Sequence, residues 1–157
     1  MTERSVVHST FAIERTYDHA PARVFAAWAD PAIKARWFGG DDDGPAGTRE
    51  FDFRVGGHES NHSAPGADFQ FGFDAAYHEI VPDERIVFSY DLALGGALVS
   101  VSLATVELRA AGAGTHLTYT EHGAFLDGLD DPTLREQGTV GLLDALGKEL
   151  EREAQTA

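Results

Sequence analysis

The chain has 157 residues, no cysteine, and 26 acidic against 12 basic side chains, a formal charge of −14. A surface this acidic repels phosphate backbones and anionic lipid heads, which argues against nucleic-acid and membrane-surface roles. Without cysteine there is no disulfide, thiolate metal site or cysteine nucleophile. No apolar run would span a bilayer, and "MTERSVVHST" lacks an export signal's apolar stretch, so a soluble, cytoplasmic protein is expected.

The length suits one domain over residues 1–157, with no repeat, low-complexity tract or linker to divide it. Residues 9–17, "STFAIERTY", alternate with Phe11, Ile13 and Tyr17 on one face and predict a strand. Pro21 opens "PARVFAAWA", where Val24, Phe25 and Trp28 have helical spacing. Asp30-Pro31 begins a second short helix, with Asp as N-cap and Pro at the first helical position. Ile33 and Trp37 follow one turn apart, and Gly39-Gly40 end that helix.

Strands come next. "REFDFRV" alternates at Phe51, Phe53 and Val55, and "DFQFGFDAAYHEI" at Phe69, Phe71 and Phe73. Pro82-Asp83 turns into "RIVFSYDL", with Ile86, Phe88 and Tyr90 in phase. Gly95-Gly96 turns into "ALVSVSLATVELRA", whose apolar phase shifts between Leu103 and Val106 and predicts a bulge there. A glycine-rich turn at 111–114 leads to "THLTYTEHGAF". Asp131-Pro132 then repeats the cap-plus-proline start, and Leu134, Leu142, Leu143, Leu146 and Leu150 stripe a long helix. One strand, two short helices, five further antiparallel strands and one long helix make an α+β domain.

The segments "ERTYDHAPARVFAAWADPAIKARWFGG" (14–40), "FRVGGH" (53–58), "EIVPDERIVFSY" (79–90), "GTHLTYTEHG" (114–123) and "GLLDALGKELE" (141–151) carry a resemblance in this order. The chain resembles the START and birch-pollen-allergen (SRPBCC) superfamily, in the branch similar to the C-terminal domain of the activator of heat-shock-protein-90 ATPase. The resemblance implies a helix-grip fold: a curved antiparallel sheet of about six strands around the long C-terminal helix. It also implies a cavity between them that holds a small hydrophobic or amphipathic molecule. Many relatives carry a Gly-Trp pair before the leucine stripe, whereas this chain reads "GTVGLLDAL", so their ligands do not transfer to it.

Residues 56–66, "GGHESNHSAPG", match H-E-x-x-H, the zinc hydrolase pattern. That site needs both histidines one turn apart on a helix, and glycine and proline flank the match too closely for one. On a strand, residues four apart are separated by roughly 13 Å at about 3.3 Å each, too far for one zinc. A polar hairpin with two solvated histidines is expected, and no metal. Asp41-Asp42-Asp43 lacks the alternating spacing of a calcium loop and reads as a solvated acidic loop.

With Phe11, Ile13 and Tyr17 inward, Arg15 shares their face; with Leu117 and Tyr119 inward, so does Glu121. The resemblance makes the first and last strands neighbours, so Arg15 and Glu121 are expected to pair at the cavity wall. The pair is either structural or a polar anchor for a ligand. Glu121, Arg15 and Tyr119 are the catalytic candidates. Trp37, Phe71, Phe73, Tyr90, Tyr119 and Leu142 are the expected ligand contacts, since aromatic walls with a few polar handles make small-molecule sites. Gly138 and Gly141, early in the long helix, either fray it or pack it closely on the sheet, or leave room for a ligand beneath it. His116 and His122 have outward parity; that of His78 is open. No catalytic triad, phosphate loop or dinucleotide fingerprint appears, and no cofactor is expected.

Three functions follow, in order of expectation. The first is a cavity protein for a small hydrophobic ligand. The second is a cyclase-like or hydrolase-like enzyme, and the third a chaperone-regulating interaction domain. The third ranks last because the resemblance covers only one domain of that activator. An exposed sheet edge would also permit a homodimer.

Overall fold

Alternating apolar side chains build β1 (Val6–Tyr17), which buries Phe11, Ile13 and Tyr17. The structure, a computed structural model, describes residues 3–38 and 47–156; Asp41, Asp42 and Asp43 lie outside them. Pro21 opens α1 (Pro21–Ala29). Asp30 then caps α2 (Pro31–Trp37), its carboxylate accepting from the backbone N–H of Ala32 and Ile33.

The other strands are β2 (Thr48–Phe51), β3 (His58–His62), β4 (Phe71–Val81), β5 (Arg85–Leu94), β6 (Ala97–Ala111) and β7 (Gly114–Leu126). All pair antiparallel in the order β1-β7-β6-β5-β4-β3-β2, which leaves β1 and β2 as edges. Asp131 caps α3 (Pro132–Thr156) by accepting from the Thr133 N–H at 2.8 Å. This is the expected α+β helix-grip architecture, with seven strands instead of about six.

The seventh strand is the H-E-x-x-H segment, β3. It has no apolar alternation to announce it, and the strand expected over 49–55 ends at Phe51. The bulge also lies elsewhere. Residues Ser100–Ala111 of β6 pair with β7 without a break, and the register slips where Leu92 faces Ser100 and Ala93 faces Leu98, leaving Val99 extra. Ser100, Ser102, Ala104, Val106 and Leu108 are the buried row, and Val101 and Leu103 are exposed. Buried hydroxyls and exposed aliphatics inverted the apparent phase.

Leu143, Leu146 and Leu150 of α3 are fully buried in one cluster with Phe11, Ile13, Leu117 and Trp28. Each such side chain contributes about 1.5–3 kcal/mol by leaving water. Tyr17 fastens β1 to α3 by donating to the Leu143 carbonyl at 2.8 Å. The helix lies closest to β1, α1 and α2. Among the described residues no helix is long and apolar enough to cross a membrane.

Candidate functional site

Because α3 rests on β1, α1 and α2, it stands off β4 and β5, and a cavity of about 360 Å³ opens there. Phe71 and Phe73 of β4 form its floor with Phe88, Tyr90, Leu92 and Leu94 of β5. Tyr119 of β7 and Phe38, just past α2, close the sides. The roof is the first half of α3: Leu134, Arg135, Gly138, Thr139 and Leu142. A Cβ added at Gly138 would meet nothing within 4 Å, so this glycine widens the cavity. Asn61 and Asp130 complete the lining.

One end is polar. Glu121 is 1 % exposed and accepts from the hydroxyls of Tyr119 at 2.8 Å and Tyr90 at 2.9 Å. Arg135 reaches down from α3 to donate to Tyr90 Oη (3.0 Å), Ser100 Oγ (2.7 Å) and Asp130 Oδ2 (2.6 Å). Its Nη1 is 3.8 Å from Glu121 Oε2. Burial pushes the Glu121 carboxyl above its ordinary range, while the two tyrosines, Arg135 and Ser102 hold it down. Burial and the neighbouring carboxylate push the Tyr119 and Tyr90 phenols up. The cavity therefore meets phenol oxygens whose protons go to a buried carboxylate, which suits accepting a hydrogen bond from a ligand N–H or O–H, or a proton relay.

Phe71, Phe73, Tyr90, Tyr119 and Leu142 all line the cavity. Trp37 does not: it packs edge-on against Trp28 with centroids 4.8 Å apart and donates to the Ala27 carbonyl at 2.9 Å. Its ring belongs to the core joining α1 and α2. The expected Arg15–Glu121 pair does not form. Register places Arg15 opposite Leu117 and Glu121 opposite Phe11, and Arg15 instead meets Asp144 at 3.3 Å. Arg135 takes its place. It lies four residues before Thr139 and seven before Leu142, so it continues the helix's inward stripe, and that spacing was the available signal. His78, His116 and His122 bond to Ser89, Glu14 and Thr10, away from the cavity.

Behind Phe38 lies a second buried polar group. Glu59, the central acid of H-E-x-x-H, is 2 % exposed and meets Lys34 Nζ at 2.6 Å and the Tyr77 hydroxyl at 2.6 Å. Lys34 also sits over the rings of Phe38 (4.5 Å) and Phe51 (5.2 Å). Burial pulls the Lys34 ammonium below its usual range, and Glu59 opposes this. His62 points away from Glu59 to Asp74, at 2.9 Å. Extended backbone thus separates the three residues a zinc site would gather.

None of the curated proteins matches the chain. Among solved structures, the Mll3558 protein of Rhizobium loti is 54 % identical, with TM-score 0.85 over 92 % of this chain and 99 % of that one. An uncharacterised Rhizobium leguminosarum protein is 42 % identical, with TM-score 0.89 over 96 % and 99 %. CalU16 of Micromonospora echinospora, at 22 % identity and TM-score 0.61 over 98 % and 88 %, shares the fold. The family model described as "Activator of Hsp90 ATPase homolog 1-like protein" matches residues 18–151, from before α1 through most of α3. That span holds the strands of the cavity floor and nearly all of the helix above it, and the chain belongs to this family.

Proposed function

We propose that the chain is a cytoplasmic binding module that holds a small hydrophobic or amphipathic molecule between its sheet and α3. The observation that carries this reading is the apolar, aromatic-walled cavity of about 360 Å³ with one polar end. Its volume falls within the ~300–1,000 Å³ range of small-molecule sites. At ~30 Å³ each, about a dozen waters would occupy it, and their release favours an apolar guest.

Native mass spectrometry of the purified protein, then denaturation and analysis of whatever is released, tests this. A bound small molecule is expected, and Gly138→Trp, which fills the cavity from the roof, abolishes its retention while the circular dichroism stays native. A wild-type protein that flies at the mass of the bare chain removes the carrier reading.

A second reading, a cyclase-like or hydrolase-like enzyme, is favoured by the raised Glu121 carboxyl behind Tyr90 and Tyr119. There the phenols touch the ligand and Glu121 acts through them. The chaperone-regulating alternative rests on the family description alone.

A further inference from the structure

The polar end of the cavity has no surplus positive charge, and this bears on what enters. Among the described residues, Arg135 is the only cation in the lining, and Asp130 is the only carboxylate. Arg135 is bonded to Asp130 at 2.6 Å and stands 3.8 Å from Glu121, so one cation faces two acids. Its donors are also engaged by Ser100 and Tyr90. With Glu121 ionised, the cluster sums to one negative charge; with Glu121 protonated, it is neutral. Neither state leaves a cation for an incoming anion, and the chain's net −14 adds a repulsive background.

We propose, resting on the binding-module reading, that this cavity takes uncharged aromatic molecules carrying a hydrogen-bonding group and rejects carboxylate-ended ones such as free fatty acids. A carboxylate moved into an apolar cavity loses its hydration and needs a paired cation to recover it. Arg135 would supply one only by abandoning Asp130, and that would leave a second carboxylate unpaired. An uncharged ligand meets no such cost. Six rings, those of Phe38, Phe71, Phe73, Phe88, Tyr90 and Tyr119, offer stacking faces. Asn61 opens on the cavity with a side-chain amide that makes no hydrogen bond to any described residue, so it has both donor and acceptor to offer. Tyr119 donates to Glu121 and keeps its oxygen lone pairs for a ligand N–H or O–H.

A matched pair of probes isolates charge from shape: 2-naphthamide and 2-naphthoate, titrated into the isotope-labelled full chain at neutral pH and followed by amide chemical shifts. The amide should bind at least about tenfold more tightly, equivalent to about 1.4 kcal/mol. Asp130→Asn, which keeps the side chain's shape but removes its charge, frees Arg135 and should narrow the gap by about threefold or more, through tighter naphthoate binding. Equal affinities, or tighter naphthoate binding to the wild type, overturn the charge selection while leaving the cavity a binding site. If neither probe shifts the cavity residues, the inference of an uncharged aromatic ligand is overturned, while the binding-module reading stands or falls on the native mass spectrometry above.

Discussion

Glu121 is where burial and hydrogen bonding compete most directly. Burial raises its carboxyl above the ordinary 4.5, so the folded chain keeps the proton at pH values where the unfolded chain releases it. In that window the native state binds more protons, and stability falls as pH climbs from 4.5 through the raised value. Glu121→Gln cannot titrate. Urea unfolding of both proteins across this window should show the wild type's advantage shrinking as pH rises; a difference independent of pH would contradict the assignment. Strand parity alone placed Glu121 and Tyr119 inward, since alternation is a local property. The partner was not legible, because strand register and the rotation of a distant helix decide who meets whom. Lys34 was missed for another reason. It follows Ile33 and precedes Trp37 by three residues, an inward position that hydrophobicity counting ignores for a lysine. Its partner Glu59 was masked by a motif that draws attention to its histidines.

At the scale of elements, two of the three glycines in α3 have opposite roles. Gly138 has open space around it, so Gly138→Ala should stabilise the helix by up to about 1 kcal/mol through propensity alone. Gly147 lies where β1 crosses beneath, and a Cβ there would come within 3.2 Å of the Tyr17 ring. That ring is 8 % exposed and tethered through its hydroxyl to Leu143, so it cannot swing aside cheaply. Gly147→Ala should therefore destabilise despite better propensity, and thermal melts of the two variants should move in opposite directions. The starts of α2 and α3, each an Asp cap followed by proline, were legible, because capping is decided within three residues. Strand β3 and the bulge at Val99 were not. Each depends on what lies across the sheet: Lys34 draws Glu59 inward, and Arg135 does the same for Ser100 and Ser102.

For the whole molecule, two electrostatic effects oppose each other, and their sizes predict how stability responds to salt. Exposed pairs such as Arg4–Asp127, Arg54–Asp52 and Arg85–Glu79 weaken as ionic strength rises. Surface pairs of this kind contribute little, because water and salt screen them. Against them stands an excess of 14 negative charges, whose mutual repulsion is relieved on unfolding as the chain expands. At ~0.15 M salt the Debye length is about 8 Å, short enough to damp repulsion across the surface. The buried Lys34–Glu59 and Arg135–Glu121 contacts lie beyond the reach of mobile ions and should be screened far less. Because the like-charge excess outweighs the exposed pairs, the melting temperature should rise when sodium chloride is added to a low-salt buffer. The steepest gain should come before physiological ionic strength. A melting temperature that falls over that range would mean that the exposed pairs, and not the acidic surface, govern the folded state's electrostatics.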